Sequence, residues 1–151
     1  MNEHKPIDLN QRLSQHFTLA EMVASGTAIR KNIDNTPQPC HVESLGRLCR
    51  EALEPLRRRF GALRVTSGYR CPELNRAVGG AHASQHLRGE AADIHVASDE
   101  AGLKMMAFAK DNIDFDQLIL ERSKSRRARW LHVSYRSRRD NRREAFAIDK
   151  K

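Results

Sequence analysis

The chain has 151 residues, a formal net charge of +8 and 39% hydrophobic residues, enough to bury one core of moderate size in a single domain. No apolar run approaches the roughly 18 residues of a membrane span, and the polar start Met1-Asn2-Glu3-His4-Lys5 lacks the apolar stretch of a secretion signal. Cys40, Cys49 and Cys71 are odd in number and widely spaced, so they fit neither a disulfide framework nor a paired zinc motif and are expected as reduced thiols of a protein made in the cytoplasm.

Residues 1–12 are polar and aperiodic and read as a flexible lead-in, with a single domain expected over residues 13–151. Thr18-Leu19-Ala20-Glu21 has capping-box spacing, with Phe17 placed as a hydrophobic staple. A short helix should therefore run to about Ser25 and stop at Gly26. Thr27 to Pro39 reads as loop. Val42, Leu45, Leu48, Cys49, Ala52, Leu53 and Leu56 recur at helical spacing, which predicts an amphipathic helix over His41 to Phe60 with Cys49 in the core. Gly61 ends it, and Pro55 kinks or divides it.

Leu63 to Ser67 alternates as a strand, and Pro72 to Val78 is a short helix closed by Gly79-Gly80. Ala91 to Val96 is a second strand, Asp99 to Asn112 a helix opened by a capping aspartate, and Phe115 to Glu121 a third strand. Arg129 to Tyr135 and Glu144 to Ile148 supply two more. Helices first and neighbouring strands after predict an α+β fold, with helices on one face of an antiparallel or mixed sheet.

The excess positive charge is concentrated between Arg122 and Arg143, where Asp140 is the only acid. Such a stretch is a solvated surface by default and attracts polyanions, whether nucleic acid, anionic lipid or anionic wall polymers. It lacks the interleaved aromatics of single-strand binders and the recognition helix of duplex readers, so no specific nucleic-acid partner is expected.

Three polar residues stand where packing needs them least: His86 in Ser84-Gln85-His86-Leu87-Arg88-Gly89, Asp93 in Ala91-Ala92-Asp93-Ile94, and His132 in Trp130-Leu131-His132-Val133-Ser134. Two imidazoles and a carboxylate fill three corners of a tetrahedral zinc site and leave the fourth open, as in a catalytic rather than a structural centre. A turn at Gly89 lets the chain double back so that His86 and Asp93 meet. On the last strand, Trp130, His132 and Ser134 share one face while Leu131 and Val133 share the other. His82 and His95 flank the motif as second-shell or surface residues. His4, His16 and His41 have no expected metal role.

In order and spacing, His16-Phe17-Thr18-Leu19-Ala20-Glu21-Met22, Leu53-Glu54-Pro55-Leu56-Arg57, Thr66-Ser67-Gly68-Tyr69-Arg70-Cys71-Pro72, Val78-Gly79-Gly80, Ser84-Gln85-His86 with Gly89 and Asp93, Phe115-Asp116-Gln117-Leu118-Ile119 and Trp130-Leu131-His132-Val133-Ser134 resemble the zinc D-Ala-D-Ala carboxypeptidases and murein endopeptidases. That family shares its fold with lysostaphin-type peptidases and the hedgehog signalling domain. The resemblance implies zinc (Zn2+) held by His86, Asp93 and His132, Arg70 against the substrate carbonyl or carboxylate, and Ser84 as a substrate anchor. Tyr69 and Trp130 adjoin the motif and are candidates for the cleft wall, with an ordinary core role as the alternative.

Many relatives carry an acid three positions before the last histidine, where this chain has Arg129. A guanidinium keeps its proton, with a pKa above about 12, and cannot serve as base. The nearest acid upstream is Glu121, and the branch this chain most resembles carries glutamate there, so Glu121 is the candidate general base. The implied activity is hydrolysis, by metal-activated water, of peptide bonds in peptidoglycan stem peptides, by a monomer. Anionic wall polymers are a further candidate partner. Without a secretion signal, a phage lysis or virion-associated enzyme released by another protein fits this reading. The alternatives are a zinc-containing, non-catalytic hedgehog-like binding domain and a basic nucleic-acid-binding protein.

Overall fold

Short polar side chains start most of the helices by accepting hydrogen bonds that the first turn would otherwise leave unmade. The computed structural model describes residues 6–150. Thr18 opens α1 (Leu19–Val23) by accepting from Glu21 N–H, and Ser25 opens α2 (Gly26–Arg30) by accepting from Ala28 N–H at 3.1 Å. The expected loop after Gly26 thus contains a helix, because Ser25 is a cap rather than the end of the preceding helix.

The long amphipathic segment begins at α3 (Pro39–Leu48), passes through a π-helical turn at Cys49–Leu53 and continues as α4 (Glu54–Phe60). Pro55 explains the π turn. Proline has no N–H and its ring crowds the preceding turn. Widening that turn by one residue, with Glu54 N–H donating to Cys49 O, lets the segment continue where a break or kink was expected. Cys49 is fully buried, and burial pushes its thiol pKa up, as suits a packing residue.

The remaining elements are β1 (Val65–Ser67), α5 (Pro72–Ala77), a 3-10 turn at Gln85–Arg88, β2 (Ala91–His95), α6 (Asp99–Asn112), β3 (Gln117–Ser123), β4 (Ala128–Ser134) and β5 (Glu144–Lys150). Ser98, not Asp99, caps α6, accepting from Ala101 N–H at 3.1 Å. Asp99 instead pairs with Arg129 at 2.6 Å and Arg122 at 3.5 Å. Among the described residues, no helix is long and apolar enough to cross a membrane.

The sheet order is β1-β2-β4-β3-β5. All neighbours are antiparallel except β3 and β5, which run parallel. The fold is therefore α+β with a mixed sheet. Residues directly opposite one another on paired strands point to the same side. Ala92, Ile94, Leu118, Leu120, Leu131 and Val133, each at most 1% exposed, form one side and share a core with Leu45, Leu48, Leu53, Leu56, Met105 and Ala109 of the helices. Each such buried leucine or isoleucine contributes roughly 1.5–3 kcal/mol. The opposite side of the sheet is thereby free to line a cleft.

Backbone order begins before Leu13. The carbonyls of Gln11 and Leu9 accept from Leu19 and Ala20 N–H, and Arg12 bridges Thr18. The expected lead-in therefore contains a segment tied to α1, while residues 1–5 lie outside the described part.

Glu54 fastens this N-terminal region to the helix layer. It is 4% exposed and accepts from Ser14 Oγ at 2.7 Å and His16 N–H at 2.6 Å, with His16 Nδ1 at 2.8 Å. Burial alone would raise its pKa, but the hydrogen bonds from His16 and Ser14 outweigh burial and lower it. A lowered folded-state pKa stabilises the fold above the unfolded value of about 4.3, and that stabilisation is lost as pH falls through the folded value. Glu54→Gln should therefore cost roughly 1–3 kcal/mol at pH 7. In urea unfolding series the difference from the parent should shrink steadily below about pH 4.3.

Candidate metal centre and cleft

The cleft side of the sheet carries two cross-strand rows, polar except for Ile119. Asp93 of β2 faces His132 of β4, which faces Ile119 of β3. One step along, His95 faces Trp130, which faces Glu121. His86 joins the first row from outside the sheet.

Local chemistry holds His86 in place. Ser84 Oγ accepts from His86 N–H at 3.2 Å and starts the 3-10 turn. Gly89 ends it at φ 71°, where a Cβ would lie 2.7 Å from the His41 carbonyl, so a side chain is excluded by both conformation and space. The Gln85 side chain donates to Asp116 at 2.8 Å. Asp116, fully buried, also accepts from Arg142 N–H, Nε and Nη2 at 2.8, 3.0 and 2.7 Å. Burial would raise its pKa, but these bonds hold it below the ordinary value.

Gly68 sets the imidazole. A Cβ there would meet Met22 O at 2.2 Å, so glycine alone lets β1 run this close to α1. Its carbonyl lies 2.7 Å from His86 Nδ1. A carbonyl only accepts, so Nδ1 carries a hydrogen and Nε2 is the ring atom turned towards Asp93. Tyr69 N–H donates to Met22 O at 2.8 Å and Arg70 N–H to His86 O at 3.0 Å. Asn35, which has no signature in the sequence periodicity, braces this segment: its amide donates to Val23 O and Tyr69 O, and its oxygen accepts from Cys71 N–H.

His86 Nε2 lies 3.3 Å and His132 Nδ1 3.2 Å from the same oxygen, Asp93 Oδ1. One ligand atom from each of the three residues falls within 4.8 Å of the others. Burial would raise the Asp93 pKa, but the two imidazoles outweigh burial and hold the carboxyl well below its usual range. A nitrogen lone pair and a carboxylate oxygen turned towards each other repel unless a cation or proton stands between them. Two imidazoles and one carboxylate suit zinc. The outer N–H of His86 on a backbone carbonyl is the second-tier bond that orients such ligands. The residues present therefore fit the metal.

Arg70 extends beside this cluster. Its Nη2 lies 3.4 Å from Asp93 Oδ2, Nε donates to Ser67 Oγ at 2.9 Å, and Nη1 donates to Asn75 Oδ1 at 3.0 Å. Burial lowers its pKa, against the charges of Asp93 and Glu121. Glu121 is 6% exposed. It accepts the Trp130 indole N–H on Oε2 and pairs through Oε1 with Lys150 at 2.9 Å.

Arg70, Ser84, His86, Asp93, Glu121, Trp130 and His132 all line one cleft of about 1070 Å³. Tyr69 does not. Its ring is 4% exposed, belongs to the core and stacks on His41 at 4.7 Å. The expectation that Tyr69 walls the cleft is corrected: beyond Ser67 the chain leaves β1, and strand alternation no longer governs which way its residues point. His95, placed by sequence among second-shell or surface residues, lines the cleft with its side chain exposed. Alternation from Asp93 was the signal for it. His16 is engaged by Glu54 and His41 by Tyr69. His4 lies outside the described residues. Arg129 is held by Asp99.

A family model described as Peptidase M15 matches residues 15–134. The chain belongs to the peptidase M15 family. Peptide-bond hydrolysis is therefore the chemistry against which the cleft is to be read. No curated protein sequence matches the chain at a significant level. The span matched to Peptidase M15 includes Arg70, His86, Asp93, Glu121 and His132 but stops before Arg142 and Lys150, two cations of the cleft lining, of which Lys150 pairs with Glu121.

If the cluster binds metal, zinc at a hundred times its dissociation constant should stabilise the metal-free protein by about 2.7 kcal/mol. Thermal denaturation with and without zinc reads this directly. His86→Ala and His132→Ala should fold and lose the shift, and a full shift in either variant would remove that residue from the ligand set.

Proposed function

We propose that this member of the peptidase M15 family is a zinc-dependent hydrolase of peptide bonds in bacterial peptidoglycan. In this reading His86, Asp93 and His132 hold the metal. The observation that carries it is the convergence of two imidazole nitrogens and a carboxylate oxygen at the floor of a long cleft in a peptidase-family fold. When bound, zinc supplies a Lewis acid that polarises the scissile carbonyl and makes water a competent nucleophile near neutral pH.

The protein's own groups supply the rest. Glu121 faces the cleft one step along the sheet from His132, and in this reading it takes the proton of the attacking water and returns it to the leaving amine. Its two bonds, to Trp130 and Lys150, occupy only part of a carboxylate's accepting capacity. Arg70 is held by Ser67, Asn75 and Asp93 with little freedom left to lose. It is thus placed to stabilise negative charge building on the carbonyl oxygen. Ser84 and Trp130 border the same space and would hold the peptide. The basic surface around Arg126, Arg127, Arg138 and Arg139, all exposed, supports attraction to anionic wall polymers.

Digestion of purified peptidoglycan by the zinc-loaded protein, followed by mass spectrometry of the fragments, tests this reading and names the bond cut. Glu121→Gln should retain folding and zinc affinity while slowing hydrolysis by roughly 10²- to 10⁴-fold. Turnover close to normal would remove Glu121 from the base role. Arg70→Ala should lower turnover with zinc content still near one per chain, and loss of zinc would make Arg70 a structural partner of Asp93 instead.

A further inference from the structure

We infer that the cleft selects peptides with a free carboxylate on each side of the scissile bond, and that Arg126 and Arg136 recognise them. This rests on the peptidase reading above and specifies its substrate.

The argument begins with charge inside the cleft. Its two carboxylates are already taken, Asp93 by Arg70 and Glu121 by Lys150. Other cations of the lining are neutralised from behind: Arg88 by Glu90 at 2.7 Å and Arg142 by Asp116 at 2.7 Å. Among the described residues, three arginines of the lining have no acidic partner: Arg30, whose Nη2 donates to Thr27 Oγ1 at 3.2 Å, Arg126 and Arg136. A cleft that compensates most of its cations and leaves these three open retains a net positive field. Low-dielectric walls focus that field on whatever enters.

Position turns the field into selectivity. Arg126 lies in the turn between β3 and β4, with its guanidinium 5.2 Å from the Trp130 ring centroid, so an aromatic face holds it over the cleft. Trp130 is two residues from His132, about 7 Å along an extended strand. Arg136 follows β4 on the other side of His132, and its backbone N–H is fixed by Asn141 Oδ1 at 2.8 Å. A peptide lying along β4 with its scissile carbonyl at the His86, Asp93 and His132 cluster reaches Arg126 in one direction and Arg136 in the other. A guanidinium meets a carboxylate with two parallel hydrogen bonds, and an amide with weaker uncharged ones. Nucleic acid is disfavoured as the occupant because Arg126 and Arg136 flank the His86, Asp93 and His132 cluster rather than tracking a regular phosphate spacing.

The test compares soluble muropeptides from one wall preparation, with their carboxylates either free or converted to amides, as substrates of the zinc-loaded full chain. Free forms should show kcat/KM about tenfold higher, and the ratio should fall towards one as potassium chloride is raised, because exposed charge pairs are screened. Arg126→Gln and Arg136→Gln should each reduce the ratio, and the double variant should bring it near one. Retention of the zinc-dependent thermal shift confirms that each variant is folded. Equal rates on both forms by the parent protein overturn the inference and leave the peptidase reading standing. A ratio unchanged in the double variant overturns the assignment to these arginines. Failure to cut either form overturns the peptidase reading itself.

Discussion

A carboxylate in the middle of a sheet must be surrounded by positive charge or hydrogen-bond donors, because its desolvation is otherwise prohibitive. Asp93 is 7% exposed and sits on β2 between β1 and β4. His86, His132 and Arg70 all lie within 3.4 Å of its two oxygens. Each of these partners is anchored by something of its own: His86 by the Gly68 carbonyl, His132 by its place on β4, Arg70 by Ser67 and Asn75. The same compensation that makes burial of Asp93 tolerable also brings together a set of side chains that fits a metal.

That arrangement divides the sheet by function. One side is a continuous apolar surface that the helices cover, and the other is a polar floor that they leave open. Because alternate residues of β2, β3 and β4 serve opposite sides, the leucines and valines that pack the core are the immediate neighbours of the site residues. Shifting one of these strands by a single residue would exchange the two sets. The core therefore fixes the register on which the site depends.

Much of this was legible in the sequence because it follows local rules. The alternation around His132 and the helical spacing of Leu45 to Leu56 read directly as one-sided elements, and the order of the motif residues pointed to the family. What the sequence did not disclose depends on contacts distant along the chain. Tyr69 looked like part of the cleft because it adjoins Arg70, yet it turns into the core to stack on His41. Asn35 lies in a stretch that read as loop, and its bracing of residues 69–71 depends on α1 passing close to β1. Gln85, Asp116 and Arg142 form one buried polar junction from three separate segments. The helix within the expected loop, and Ser98 rather than Asp99 as a cap, were misread because Ser, Asp and Gly all serve at helix ends and only geometry selects among them.

The parallel pairing of β5 with β3 has a consequence for solubility as well as for the cleft. Without β5, the outer edge of β3 would present unpaired N–H and C=O groups along Gln117–Ser123, an invitation to strand addition from another chain. All three residues of the metal cluster precede β5. A chain shortened before Glu144 would thus keep His86, Asp93 and His132 in its sequence while exposing that edge, and self-association rather than loss of ligands would be the first hazard it met.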